Sequence, residues 1–421
     1  MPLNNLAVNS MDFSSSSRLW LVVSILSLSH SSFSEAAEQS FWKRNQLSGD
    51  WGGKRDSWSQ RGFDFTFEYT GELIGTSGGI SSGSVYQGLG YGGMDIDAQK
   101  AFGWNGTTLH MSTLWIHGSS PGQYAGDELG VSNIDAYDGL RLLQVFAEKD
   151  FGKLNLRIGN LLADEEFIGD HYSDTFVNDS FGQPAAWSAN TLNGGPAFYA
   201  PGLGLRLRYD FSEAAYIQAG IYDGDTVDDA AGDPSINQHG LHFELGNGQG
   251  WTSLYEIGYN GFNVDDNTGL PGWYRAGAWH HSAEFEKHAG GKSEGNGGIY
   301  AAMDQMVVRE KGDQGLGVYW CLGVSERDRS RFQWSLDAGA SYQGLFSGRD
   351  EDTAAIGLIY GRHSREASSP RSHERVLELT YKYQLSPSVY LQPDIQWINR
   401  PGGDNSIGDA WAFGLRVGIE F

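Results

Sequence analysis

Phe63-Asp64-Phe65-Thr66-Phe67-Glu68-Tyr69-Thr70 alternates aromatic with polar side chains along its whole length. Successive side chains of an extended chain point to opposite faces, so this stretch reads as a strand with one apolar and one polar face. The same period recurs downstream. Leu154, Leu156 and Ile158 alternate with Asn155 and Arg157, and Leu203, Leu205, Leu207 and Tyr209 with Gly204, Arg206, Arg208 and Asp210. Leu377, Leu379, Tyr381, Tyr383 and Leu385 alternate with Glu378, Thr380, Lys382 and Gln384, and the pattern returns over 389–397 and 411–421. The only helix candidate is a short stretch at 54–60, ahead of the first strand. The fold class is all-β.

A soluble sandwich, a propeller and a membrane barrel all share this period. Three features favour a transmembrane antiparallel β-barrel. Ionised residues recur on the polar face of strand after strand, the segments run about 9–12 residues, the length of a tilted strand across a bilayer, and short turns such as 150–153 and 385–388 are interspersed with long Gly/Asp/Asn-rich loops. Seventeen segments qualify as strands: 63–73, 91–100, 107–117, 139–150, 153–162, 203–211, 214–222, 238–246, 251–260, 273–286, 297–308, 314–325, 331–343, 352–362, 374–385, 388–398 and 410–421. A single-chain bacterial barrel with both ends on one side has an even number. The expectation is therefore 16 strands, with 18 as the alternative, and turn lengths are least regular over 290–375.

Composition agrees. The 421 residues include 59 Gly, 14 Trp, 20 Tyr, 21 Phe and a single cysteine, Cys321. Disordered chains lack such aromatics, and one cysteine builds neither a disulfide framework nor a thiolate metal site. Mean hydropathy is −0.41, and no apolar run reaches the roughly 18 residues of a membrane helix. The longest such run, LWLVVSILSL at 19–28, follows Arg18 and precedes Ser34-Glu35-Ala36-Ala37. That is the anatomy of a secretory signal peptide cleaved after Ala36 or Ala37, with Met11 as a possible true start. The domain reading is a signal peptide over 1–37, a periplasmic segment with a short helix over 38–62, and the barrel over 63–421. A formal charge of −23 argues against nucleic acid as a partner and fits poorly with docking onto an anionic membrane surface.

Leu47-Ser48-Gly49-Asp50-Trp51-Gly52-Gly53-Lys54-Arg55, leading into GFDFTFEYTGE at 62–72, resembles the opening of the carbohydrate-selective porin family of the OprB type. Weaker internal landmarks are AGIYDGD at 219–225 and GLFSGRDED at 344–352. A C-terminal block of ELTYKYQLSP (378–387), LQPDIQWI (391–398) and RPGG (400–403) completes the resemblance, which covers about 41–421. It implies a 16-stranded outer-membrane barrel that passes monosaccharides and related small carbohydrates without chemistry or cofactor. Phe421, at the end of an alternating strand, is similar to the signal that outer-membrane assembly machinery recognises. The resemblance supplies no sugar-contacting residues and no role for Cys321, which is expected to be buried as a small apolar residue. Monomer and homotrimer both stay open.

Period two assigns the lumen side. On the best-patterned strands the polar face carries Glu68, Asn155, Arg157, Arg206, Arg208, Asp210, Gln218, Glu378, Lys382, Gln392, Asp394, Gln396 and Arg416. Some of these are expected to form a constriction, and the others to keep the wall wet or to pair across strands. The longest connection without alternation, 163–202, contains Asp164, Glu165, Glu166, Asp170, His171, Phe181, Trp187 and Asn190. Long structureless connections are commonly functional, and this one is expected to fold inward and narrow the pore. Within it, Trp187 and Phe181 are candidates for stacking on sugar, with packing against the inner wall as the alternative. Asp223, Asp225, Asp228, Asp229 and Asp233 lack the calcium-loop spacing, and adjacent His280 and His281 point to opposite faces of a strand, so no metal is expected. A porin for organic acids and a secreted β-rich glycosidase or carbohydrate-binding protein are the competing readings.

Overall fold

A computed structural model describes residues 41–421 except 170, 230, 247, 261–268, 313 and 368–370. The expected signal peptide lies outside the described residues. Sixteen antiparallel strands close into one barrel, each paired with its sequence neighbours. They are β1 (Phe63–Gly78), β2 (Gly83–Asp97), β3 (Thr107–Gly118), β4 (Gly139–Asp150), β5 (Leu154–Leu161), β6 (Gly202–Asp210), β7 (Ala215–Asp223) and β8 (Trp251–Tyr259). The second half comprises β9 (Gly272–Glu286), β10 (Lys292–Arg309), β11 (Gly315–Ser325), β12 (Phe332–Gln343), β13 (Thr353–His363), β14 (His373–Ser386), β15 (Val389–Asn399) and β16 (Ala410–Glu420). Among the described residues no helix is long and apolar enough to cross a membrane.

Closure is made by β1 and β16, in register from Glu68 opposite Glu420 to Gly78 opposite Ala410. The Phe421 amide continues the ladder by donating to the Phe67 carbonyl at 2.8 Å. Helix α1 (Lys54–Ser59) stands where a helix is expected, and Arg55 Nη2 on it donates to the Phe421 carbonyl at 2.8 Å. Helix α2 (Ala98–Phe102) follows β2, its first amides bonded to the Asp97 carboxylate at 3.1 Å. Both barrel termini therefore lie at one end, together with the β4–β5, β6–β7 and β14–β15 turns. The long connections 119–138, 162–201 and 224–250 leave the opposite end.

Two sequence expectations are corrected. Residues 238–246 form no strand, although Leu241, Phe243 and Leu245 alternate there. Instead β7 pairs directly with β8, leaving the segment without a sheet partner and those three side chains exposed in the 224–250 connection. Asn237 Nδ2 bridges the Thr226 and His242 carbonyls at 3.0 Å, fixing that segment as a loop. The second strand begins at Gly83 rather than 91, because Gly88, Gly90, Gly92 and Gly93 interrupt the alternation. The irregular zone 290–375 is strand throughout its expected segments.

Glycine and tyrosine interlock on the inner face. Tyr216 sits directly opposite Gly258, Tyr222 opposite Gly204, Tyr300 opposite Gly277, Tyr319 opposite Gly339 and Tyr390 opposite Gly418. A Cβ at Gly258 would lie 2.1 Å from the Tyr216 ring, and one at Gly418 2.0 Å from Tyr390. Each ring therefore lies flat along the neighbouring strand, covering a backbone that has no side chain of its own. Gly258→Val is expected to expel the Tyr216 ring and to cost about 1–3 kcal/mol, measured as a lower urea midpoint for the refolded barrel.

Candidate functional site

The barrel interior is occupied by its own loops. Wall carboxylates on alternate strands accept backbone N–H groups of the 162–201 connection. Glu256 on β8 accepts from Ile168 at 3.0 Å, and Asp304 on β10 from His171 at 2.9 Å and Tyr172 at 3.0 Å. Asp337 on β12 accepts from Gly182 at 3.0 Å, and Glu378 on β14 from Val177 at 2.7 Å and Asn178 at 3.0 Å. An irregular loop drawn into a barrel carries amides with no ladder partner, and an anionic acceptor satisfies them most strongly. Asn190 fastens the far part of the connection, donating to Ser325 Oγ at 3.0 Å and the Phe332 carbonyl at 2.7 Å. These bonds hold Ile168, 171–182 and Asn190 against the inner wall, while Asn193 reaches out to Asp225 and Asp229 of the 224–250 connection and Asp170 lies outside the described residues.

A second inward segment, 126–135, was not anticipated from sequence. Glu374 accepts from the Glu128 and Leu129 amides at 3.0 and 3.2 Å, and Glu72 from Ser132 Oγ at 2.6 Å. Arg416 joins Glu72 to Asn133, and Gln396 Nε2 donates to the Val131 carbonyl at 2.8 Å. The segment is short and mixed in character, so nothing in it marks an inward loop. The signal lay in the wall, where Glu72, Glu256, Asp304 and Asp337 sit on the polar face of alternating strands.

The expected lumen residues project inward, and most are engaged. Glu148, Arg157 and Arg206 share one cross-strand row. Arg157 Nε donates to Glu148 at 2.7 Å, Arg206 Nε to Glu166 at 2.5 Å, and Asn155 links Glu148 to Arg206. Gln218 donates to the Glu166 carbonyl at 2.6 Å and to Glu256 at 2.9 Å. Gln392 donates to the Thr175 carbonyl at 2.6 Å, and Asp394 accepts from Gln396 at 3.0 Å. Glu165 accepts from Gln144 at 2.7 Å, and Asp164 from the Phe198 amide at 2.8 Å. Lys382 lies 4.4 Å over the Tyr390 ring, and Glu68 faces Glu420 in register.

Trp187 and Phe181 present no open ring face. Trp187 is 0 % exposed in a cluster with Phe167, Leu254 and Cys321, and Phe181 stacks on Phe176 at 4.1 Å. The aromatic surfaces that border open space are others. A cavity of about 400 Å³ at the short-turn end is lined by Gly169, His171, Arg208, Tyr216, Asn260, Trp273 and Arg275. Its cations are matched: Arg208 Nε donates to Asp210 at 3.0 Å, with its guanidinium 3.7 Å over Tyr216, and Arg275 pairs with Asp304 at 2.9 Å. A second cavity, of about 380 Å³ at the other end, includes Gln87, Ser120, Asp135 and Asp138.

Residues 84–421 match the carbohydrate-selective porin, OprB family. The chain belongs to that family. Porin B of Pseudomonas aeruginosa is 22% identical over 444 residues, covering 93% of this chain and 94% of its own. The high-pH structure of Pseudomonas putida OprB superposes with a TM-score of 0.81 at 21% identity, over 91% of this chain and 100% of that one. The low-pH structure of the same protein gives 0.59 at 18% identity, over 90% and 99%. This porin is thus a passive channel protein of the outer membrane and not an enzyme.

Two predictions follow from the pinned loops of this porin. Glu378→Ala leaves the Val177 and Asn178 amides without acceptors, which should destabilise the inner loop by about 3 kcal/mol and raise single-channel conductance, whereas Glu378→Gln should have a smaller effect. The second concerns pH. The two inward segments meet where the Asn133 amide donates to Val177 O at 2.8 Å and the Asp179 amide to Gly130 O at 3.0 Å. Enclosure in the barrel, together with the carboxyls of Asp135 and Asp127, raises Asp179 to about 7. Enclosure, then the Asp135 carboxyl, raises Asp127 to about 6. These folded-state values lie above the unfolded value of about 4, so the joint is strongest in acid. It weakens as pH rises from about 4 to about 7 and changes little above that. Amide exchange at 127–135 and 176–181, corrected for intrinsic rate, should be faster at pH 8 than at pH 5, and Asp179→Asn should narrow the difference.

Proposed function

We propose that this barrel spans the outer membrane with its long connections outside and α1 in the periplasm, and that neutral monosaccharide-sized sugars diffuse through it. The supporting observation is the cavity at the short-turn end, where the Trp273 ring lies beside paired Arg208–Asp210 and Arg275–Asp304. A sugar needs donors and acceptors in place of water and a flat apolar surface for its C–H groups. It also needs contacts weak enough to release it. Each arginine carries its own carboxylate, so the cavity offers many hydrogen-bonding groups with little net charge, which favours neutral solutes over organic acids. The stacking role expected of Trp187 and Phe181 passes to Trp273 in this reading.

The outward face supports a membrane position. Leu73, Ile158, Leu207, Ile217, Ile257, Ile299, Leu358, Leu379 and Leu415 are exposed on nine of the strands around the barrel, a wall suited to lipid. The leader at 1–37 would be removed on export, and Phe421, tied to Phe67 and Arg55, would present the C-terminal strand to the assembly machinery.

Planar-bilayer recording of the purified protein should give steady open channels whose ion current is blocked by neutral monosaccharides more than by their acid counterparts. Trp273→Ala should weaken the block about fivefold. A protein with no conductance would end the reading, and an unchanged block would remove only the stacking role.

A further inference from the structure

Most arginines inside the barrel have carboxylate partners, but three neighbours on its outside do not. Outward positions are identified by exposed Leu358, Leu377 and Leu379 on β13 and β14. Reading along these strands toward the long-connection end, three cross-strand rows follow one another. The first is Leu358, Leu377, Trp397 and Trp411 on β13 to β16. The second is Tyr360, Arg375 and Asn399. The third is Arg362 beside His373, with Trp334 on β12 opposite Arg362. Arg400, just past the end of β15, reaches His373 Nδ1 at 3.4 Å and Ser372 Oγ at 3.2 Å. The wall thus passes from leucine and tryptophan, through a tyrosine level, to three guanidinium groups within a few residues.

Among the described residues none of the three arginines has an ion pair. Arg375 is oriented by a neutral group, with Nε and Nη2 donating to Asn399 Oδ1 at 3.1 and 2.6 Å. Arg362 Nε is enclosed without a hydrogen-bond partner. The nearby carboxylate, Asp409, accepts from Asn399 Nδ2 at 2.8 Å, Trp397 Nε1 at 3.2 Å and the Arg400 amide at 3.3 Å. Elsewhere Arg157, Arg206, Arg208, Arg275, Arg349 and Arg416 all pair with carboxylates. Three unpaired arginines side by side therefore stand out on a chain of charge −23.

We propose that Arg362, Arg375 and Arg400 bind the phosphate monoester headgroup of a lipid in the outer leaflet, with its acyl chains along the Leu358–Leu377–Trp397–Trp411 row. Guanidinium groups suit phosphate because their forked donors match its oxygens, and the aromatic level marks the interface at which headgroups lie. The adjoining apolar row selects a lipid over free phosphate, because one continuous surface serves both ends of the molecule. The inference rests on the membrane orientation proposed above.

The test uses the full barrel in detergent, with bis-phosphorylated lipid A and its dephosphorylated form as probes and native mass spectrometry as the readout. The wild type should retain the phosphorylated lipid at least about tenfold better than the dephosphorylated one. The triple variant R362Q/R375Q/R400Q should lose that preference, and R362K/R375K/R400K should keep part of it. Equal retention of the two lipids by the wild type, or an undiminished preference in the glutamine variant, would overturn the proposal. Displacement by excess inorganic phosphate with the dephosphorylated lipid left unaffected would also overturn it, by making the site one for a free anion. Heat-modifiable gel migration checks that each variant is folded. Sugar-blocked conductance, recorded on the same samples, should be unchanged by the substitutions and reports separately on the channel reading.

Discussion

Closure of β16 onto β1 is the constraint on which everything else in this protein depends. A sheet of strands with apolar and polar faces has no stable home while its edges are open, because each edge strand presents a row of unpaired amides and carbonyls. The ladder from Glu68–Glu420 to Gly78–Ala410 removes both edges. Once it exists, one face of every strand is outside and the other inside, and the period-two pattern becomes a division between two solvents. The Phe421 amide and the Arg55 guanidinium reinforce the end of this seam.

Closure also creates a problem, which the inner wall solves. A barrel of sixteen strands encloses more space than a small solute needs, and two connections fill it. Their apolar side chains pack with the wall around Phe176, Phe181, Tyr319, Phe332 and Ile359 in one cluster and around Trp187, Leu254 and Cys321 in another. Their backbones are held by Glu72, Glu256, Asp304, Asp337, Glu374 and Glu378. A set of wall carboxylates therefore serves as hydrogen-bond acceptor for the chain's own loops, and the cavity left at the short-turn end is lined by arginine–carboxylate pairs and the Trp273 ring.

Much of the fold was legible because a strand advertises both its length and its faces. The segments at 139–150, 203–211 and 410–421 match β4, β6 and β16 within a residue or so. Reading failed where local pattern and sheet pairing part company. Residues 238–246 alternate as well as any strand but have no neighbour to pair with. The start of β2 was hidden because glycine carries no polarity to alternate, although those glycines are structurally specified. The inner side of Glu378, Gln392, Gln396 and Arg416 was legible from their period, and their task was not. Each faces a loop residue more than 200 positions away in the chain.

By itself the sequence determined the strand period, the polarity of each face and the presence of a long connection after the fifth strand, since all three are written in contiguous residues. Tertiary structure alone decided which aromatics pack and which face open space. Trp187 and Phe181 are as aromatic as Trp273, but the first two lie on a loop driven against the wall and Trp273 on a strand beside a gap. It also decided which arginines are paired. Arg208 meets Asp210 on its own strand, while Arg362, Arg375 and Arg400 are gathered by the register of three strands on a face where the nearby Asp409 carboxylate is already occupied. Side-chain chemistry is local, but the partner that satisfies it or leaves it free is set by which strands the closed barrel places side by side.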